Sequence, residues 1–452
     1  MLRPFLAQSL SLLLVLASFG VAKGDAAARS GEATQEALPA PSHAGHGGHS
    51  SGDNMNTAGT SLMEQASGTS RDPGSAPHEM LSRRIHGWDL MFHGVFFLAD
   101  IRETGLRGAG KLFSANWFMG MAEHRLGKGS FLFRTMLSLE PATVTARRYP
   151  ELFQTGETAF GVPITDGQHP HNLFMEVALE YARPIGEKIM LTLYAAPVGD
   201  PALGPVAFPH RASASEIPQA PLSHHLQDSS HIADEVFTLG LKYGIFGLEA
   251  SGFHGAEPGE NRWIIGAGTV DSWAGRFSVA PTGNWSAQVS VGRLHHPETA
   301  EPGDIVRSTA SVSYNRPWSR GNWATNVIWG RNHKSESGRN LNSYLFESTL
   351  QFREKNFLAG RAELVDKDEL FSSEPQLEQR LAATSGSVFR IGAYTLGYTR
   401  DFRIVSRLQT GLGANFTLYS TPSAIRPFYG GHPAAFLLFL RARIRGSEAH
   451  HH

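Results

Sequence analysis

Phe131-Leu132-Phe133-Arg134-Thr135-Met136-Leu137-Ser138-Leu139-Glu140 follows directly on the turn residues Leu126-Gly127-Lys128-Gly129. One face of this stretch carries Phe131, Phe133, Leu137 and Leu139, and the other carries Arg134, Ser138 and Glu140. A period of two with charge on one side marks a strand in a sheet that is wet on one face. The pattern returns downstream. Leu173, Met175, Val177, Leu179 and Tyr181 oppose Asn172, Glu176 and Glu180, and Tyr344, Phe346, Leu350 and Phe352 oppose Glu347, Thr349, Gln351 and Arg353. Near the C-terminus, Phe436, Leu438, Leu440 and Ile444 oppose Arg441 and Arg443.

Sixteen such segments are expected, near 88–100, 111–124, 130–140, 172–183, 188–197, 235–243, 247–254, 270–280, 285–294, 306–315, 322–331, 342–352, 357–366, 388–399, 404–418 and 434–445. Alternation alone also suits a soluble sandwich, so the connections decide. Short turns at 126–129, 184–187, 244–246, 281–284, 316–321, 353–356 and 400–403 alternate with longer links, of which 141–171 and 198–234 are the longest. Short turns at one rim and long loops at the other characterise an outer-membrane barrel. The expected fold is therefore all-β: a transmembrane up-and-down antiparallel β-barrel of about 16 strands. An even strand number puts both chain ends at the short-turn rim, expected to be periplasmic, with the long loops extracellular. Arg134, Glu140, Glu176, Glu180, Glu347, Arg353, Arg361, Glu363, Arg441 and Arg443 are expected to face the lumen, and their mixed signs predict weak charge selectivity. The first strand is apolar on both faces (Leu90, Met91, Phe92, Val95, Phe96, Phe97, Leu98), as where a wall contacts a plug or the register slips.

Composition fits this reading. The 452 residues are 41% hydrophobic, a share diluted by alternation, and the net charge of −1 supplies no field for nucleic acid. No cysteine is present, which excludes disulfides, thiol catalysis and a lipoprotein anchor. Met1-Leu2-Arg3-Pro4 and the Leu-rich run at 5–22 read as a Sec signal peptide, assigned to 1–23. Residues 24–85 are rich in Gly, Ser, Ala, Thr and His and poor in large apolar side chains, so they are expected to form a flexible periplasmic arm. The barrel is assigned to 86–446. Residues 447–452 form a tail whose closing histidines are either native or a tag remnant.

Histidine is the residue type that points to chemistry. His43, His46 and His49 form a His-x-x-His-x-x-His cluster in the arm, with Met55 nearby, and His169 and His171 flank Pro170 in a long loop. Imidazole and thioether together suit Cu, and imidazole suits Zn, so these six residues are the candidate metal ligands and Cu or Zn the candidate ions. A polar linker and a rigid turn are the plain alternatives. The loop segment at 154–172 is expected either to fold inward as a constriction or to satisfy its own polar groups as a turn. Gly-x-Ser-x-Gly, Walker and His-Glu-x-x-His motifs are absent, and His224, His225, Asp228 and Ser229 are the nearest approach to a hydrolase constellation.

Ala66-Ser67-Gly68-Thr69-Ser70, Leu90-Met91-Phe92-His93-Gly94, Asn116-Trp117-Phe118-Met119, Met136-Leu137-Ser138-Leu139-Glu140-Pro141, Gln154-Thr155-Gly156-Glu157 and Gln168-His169-Pro170-His171 resemble an uncharacterised family of exported bacterial outer-membrane proteins. The resemblance implies a His/Met-rich N-terminal segment and a genomic setting near metal-efflux and copper-handling genes. Arg71 and Asn172 stand where its members have Trp and Asp, so no carboxylate directly follows the His-Pro-His. Three functions follow as expectations. The first is a porin-like channel or passive transporter for small solutes, linked to copper homeostasis. The second is a barrel whose His/Met-rich arm sequesters Cu or Zn. The third is a barrel lipase or protease, which the motifs disfavour. The expected partners are outer-membrane lipids and lipopolysaccharide, the barrel-assembly machinery and metal-efflux components, with no nucleic acid.

Overall fold

The computed structural model describes residues 66–77, 79–299, 303–404 and 407–444. The expected signal peptide, the expected arm up to residue 65 and the tail lie outside the described residues, and with them His43, His46, His49 and Met55.

Sixteen strands form one closed antiparallel barrel. A short strand, β1 (Leu81–Ile85), precedes β2 (Trp88–Glu103), β3 (Gly110–Leu126) and β4 (Gly129–Leu137). A separate hairpin follows, β5 (Tyr149–Ala159) and β6 (Val162–Gln168). The wall resumes with β7 (Phe174–Ile185), β8 (Ile189–Gly199), β9 (Ala233–Tyr243), β10 (Phe246–His254), β11 (Ser272–Thr282) and β12 (Trp285–Leu294). It continues with β13 (Ile305–Trp318), β14 (Gly321–Lys334), β15 (Asn340–Phe352) and β16 (Asn356–Lys367). β17 (Phe389–Phe402), β18 (Leu408–Ser420) and β19 (Ala434–Ile444) complete it. β19 closes on β2, with Ala435 opposite Glu103 and Arg443 opposite Val95.

The wall strands set apolar side chains outside, and much of the inner face is polar. Phe133, Leu179, Leu239, Phe277, Phe346 and Leu396 are exposed, while Arg134, Glu180, Thr238, Arg276, Glu347 and Thr399 are buried. Lipid rewards the first set, and closure leaves no backbone edge unpaired in hydrocarbon. The tight turns all fall at one rim, and several need left-handed backbone, as at Gly127 (φ 62°) and Gly186 (φ 70°).

Several expectations need correction. The third wall strand stops at Leu137 rather than running to residue 140. Pro141 has no N–H to give a ladder, and Glu140 opens a helical turn, Glu140–Thr143, outside the wall. Arg353 does not face the lumen: it sits exposed in the β15–β16 turn with φ 48°. Met175, assigned to the outer face by simple alternation, is buried within. A bulge between Met136 and Leu137 shifts the β4–β7 register there.

The arm boundary at 85 is also too late. Ala66, Ser67, Thr69 and Ser70 are buried, and Leu81–Ile85 pairs with Trp88–Phe92, the part of β2 that projects beyond its pairing with β19. The double apolarity of β2 has a matching cause. Its inward Met91 packs among methionines, and Phe97 and Ile101 pack with Phe113, Tyr149 and Phe439, so that face contacts a plug.

One consequence of the outer face is testable. Leu396, 63% exposed midway along β17, is expected to lose about 2–4 kcal/mol of folding stability on Leu396→Arg, because the change puts a charge into hydrocarbon. Urea titration of the barrel in lipid vesicles measures it.

Candidate functional site

Three segments fill the lumen: residues 66–77, the β5–β6 hairpin, and residues 200–232 between β8 and β9. The last is too apolar to stay at the surface, since Leu203, Val206, Phe208, Ile217, Leu222 and Leu226 are all buried. Removing them from water is worth roughly 25 cal/mol per Å² of apolar area. Their inward course brings polar groups along, and each must find a partner.

Arg211 is the main anchor. Its Nε donates to Glu347 at 2.6 Å and one terminal nitrogen donates to Asp228 at 2.6 Å. Glu347 also accepts from Ser213 at 2.9 Å and from Arg361 at 3.3 Å. Further along the loop, Glu363 accepts from the backbone and hydroxyl of Ser223. Glu216 pairs with Arg441, which also pairs with Asp401, and with Arg443 at 2.8 Å. Two strands along the wall from Glu347, Arg307 on β13 donates to Ser229 and to the His225 carbonyl. Wall charges of both signs thus hold the loop rather than lining an open pore.

The N-terminal segment is fixed the same way. Arg134 donates to the carbonyls of Ala66 and Gly68 and lies 3.2 Å from Glu176 and 3.6 Å from Glu180. Glu176 also accepts from the Gly68 amide, and Ser67 donates to Asp200 at 2.7 Å. Gly68 has φ 57°, and a Cβ there would overlap the Asp200 carbonyl, so no side chain fits.

The hairpin carries the Gln154-Thr155-Gly156-Glu157 motif into the barrel, where Gln154 accepts from Lys367 at 2.8 Å. His169 lies 3.2 Å from Glu157, which also pairs with Arg262, and Nδ1 of His171 lies 3.0 Å from Glu140. The two proposed ligands therefore face different carboxylates. Rings nevertheless form a continuous file: His169–His225 (5.7 Å between centroids), His225–His224 (5.2 Å), His224–His231 (5.3 Å) and His231–His171 (5.5 Å). Gly156 permits it, since a Cβ there would lie 2.5 Å from the His225 ring. His225 also meets Glu257 and Glu298, the three offering ligand atoms within 4.8 Å of one another.

Burial, reinforced by His224 and His171, pulls His231 down to about 3. Burial alone would raise the Asp228 carboxyl, but Arg211 and His224 outweigh it and hold it below its ordinary range. His224 Nδ1 lies 2.7 Å from Asp228, a His–Asp pair, while Ser229 is turned to Arg307. That geometry orients a histidine; it assembles no serine nucleophile at the pair.

A cavity of about 170 Å³ remains between the loop and the N-terminal segment. His93, Trp117, His171 and His210 line its inner end, and Asn322, Gln351 and Arg443 line it toward the short-turn rim. His93, Trp117 and His210 were not anticipated as site residues. The signal available for the first two was their place on the lumen face of β2 and β3, beside Met91 and Met119.

No protein-family model and no curated protein matches this chain. Among solved structures it is similar to an anion-selective porin from Comamonas acidovorans, with 11% identity and a TM-score of 0.46 over 79% of this chain and 99% of that one. It is similar also to Salmonella typhi OmpF in complex with daunomycin (7%, TM-score 0.49, 80% and 100%) and to Pseudomonas putida OprB at high pH (10%, TM-score 0.48, 79% and 94%). These are likenesses only; the barrel is established by its own strand pairing.

Two outcomes are expected of the plug. Arg211→Ala leaves Asp228 and Glu347 buried without their main cation and is expected to cost about 3–5 kcal/mol of loop stability; faster amide exchange across residues 200–232 reads it. His231 is neutral in the fold, and its pKa of about 3 lies below the unfolded value of 6.5. The native state then binds fewer protons, so the plug is fully stable above about pH 6.5 and weakens as pH falls from there toward 3. The same exchange measurement taken across pH checks this, with His231→Asn flattening part of the dependence.

Proposed function

We propose that this protein is an outer-membrane passage for small solutes, narrow and porin-like in layout, with no catalytic step. The observation that supports the reading best is the loop at 200–232, folded into the lumen and held by charge-assisted bonds to β13, β15 and β19, with a cavity of about 170 Å³ beside it. A cavity of that size admits a few waters or one small solute, so passage selects by size and by the groups at the constriction. The short turns and both chain ends face the periplasm and the long loops face outward, where lipopolysaccharide surrounds them. The barrel-assembly machinery inserts it, and metal-efflux components are its candidate periplasmic partners.

A second reading, a barrel that holds Cu or Zn, is favoured by the His225–Glu257–Glu298 group beside His169, in which His225 and Glu298 are buried and Glu257 is half-buried. In it the arm ligands His43, His46, His49 and Met55 collect the ion.

Planar-bilayer recording tests the passage. The intact barrel is expected to conduct in small steps, and Arg211→Ala is expected to enlarge them by releasing the loop. Absence of any conductance from both proteins, each shown to be folded, sinks the reading.

A further inference from the structure

Four donor side chains meet in one row across the lumen wall. His93 on β2 stands opposite Met119 on β3, and Met119 stands opposite Met136 on β4. Directly opposed residues on neighbouring strands put their side chains side by side on one face. His210, from the inward loop, completes the row from above. Its Nε2 lies 3.0 Å from the Met136 sulfur, as the His93 Nε2 lies 3.0 Å from the Met119 sulfur. Trp117 packs between the two imidazoles, its ring 5.1 Å from His93 and 4.4 Å from His210.

We propose that His93, Met119, Met136 and His210 form a binding site for a soft monovalent cation, Cu(I) or Ag(I), within the passage. The inference rests on the reading of the lumen as a solute path and names the class of solute. Thioether sulfur is a weak hydrogen-bond acceptor, so two imidazoles turned onto two sulfurs gain little as hydrogen bonds. The same four atoms make a neutral nitrogen–sulfur donor set, and thioethers select Cu(I) among the biological metals. Packing alone does not require sulfur here, because leucine fills such space as well, and Leu132 does so in the same cluster. Instead six of the ten methionines gather at this place (Met80, Met91, Met119, Met121, Met136, Met175), which makes soft donors a local property of the site.

The site can be reached and can be gated. His93, Trp117 and His210 line the cavity that runs toward the short-turn rim. His210 is next to Arg211, the anchor to Glu347 and Asp228, so moving the loop withdraws one of the four donors. Around the row the charges are already matched: Glu176, opposite Met136, is engaged by Arg134, Gly68 and Tyr194. A divalent ion would bring twice the uncompensated charge of a monovalent one into this neutral donor set, so the site favours the singly charged soft ion.

The test uses the full chain, folded in detergent, with His43, His46 and His49 replaced by alanine so that the arm does not compete. Cu(I), supplied anaerobically with a chromophoric Cu(I) chelator as competitor, is expected to bind at one per chain, with X-ray absorption reporting both sulfur and nitrogen neighbours. Ag(I) is expected to displace it. Met119→Leu/Met136→Leu, a volume-conserving change, is expected to weaken Cu(I) by at least about tenfold and to remove the sulfur signal. Heat-modifiable gel mobility reports whether that variant folds. His210→Gln, which leaves the wall untouched, is expected to weaken Cu(I) as well and decides the matter if the double variant does not fold. Zn(II) binding as tight as Cu(I), or Cu(I) binding unchanged by the variants, overturns the site. Potassium chloride conductance of the same preparation separates the two readings. Conductance without Cu(I) binding overturns the site and leaves the passage; Cu(I) binding without conductance leaves the site and overturns the passage.

Discussion

Closure of the wall is the constraint on which the rest depends. Hydrocarbon offers no partner to a backbone N–H or C=O, so a sheet survives there only if its last strand bonds to its first. In this chain β19 meets β2, and once that seam exists the two faces have opposite solvents. The outer face must be apolar, while the inner face is free to carry Arg134, Glu176, Glu347, Arg361 and Arg441. The inner charges then create a demand of their own. A sixteen-strand wall encloses more space than its side chains fill, and the three inward segments supply both the volume and the counter-charges.

The plug is thus a polar mosaic with apolar patches. Arg211 links a loop carboxylate to a wall carboxylate, Arg134 clasps the N-terminal segment, and Glu216 is held by two arginines. Such buried pairs add little net stability over an apolar filling, but removing one partner strands the other charge without water. They fix which loop residues face the cavity.

The wall was legible in the sequence because its signal is local. Alternation over several residues and turn chemistry between such runs place a strand without knowledge of anything else, as Phe131–Leu137 illustrates. The misses are local in cause too: Pro141 ended a strand early, a bulge turned Met175 inward, and a left-handed turn took Arg353 out of the wall. The site was not legible, since His93, Met119, Met136 and His210 converge only through strand register and an inward loop. A partial signal did exist. A connection holding Leu203, Val206, Phe208, Ile217, Leu222 and Leu226 is too apolar for a surface loop, and Met91 and Met119 sit on the strand face that elsewhere carries charge. The arm boundary failed for a different reason: Ser67 and Gly68 look like linker residues, and smallness is what lets them pass between Arg134 and Asp200.

The seam between β2 and β19 also bears on how the chain is made. Its paired residues lie as far as 348 residues apart, at Val95 and Arg443 (443 − 95). None of those bonds can form until the last strand has been synthesised, and contacts of such separation are slow to find. Until then β2 holds a bare edge, part of which β1 covers through its hairpin across His86-Gly87. That five-residue strand and β19 therefore divide one edge of β2 between them, a local hairpin pairing Trp88–Phe92 and the distant last strand pairing Val95–Glu103.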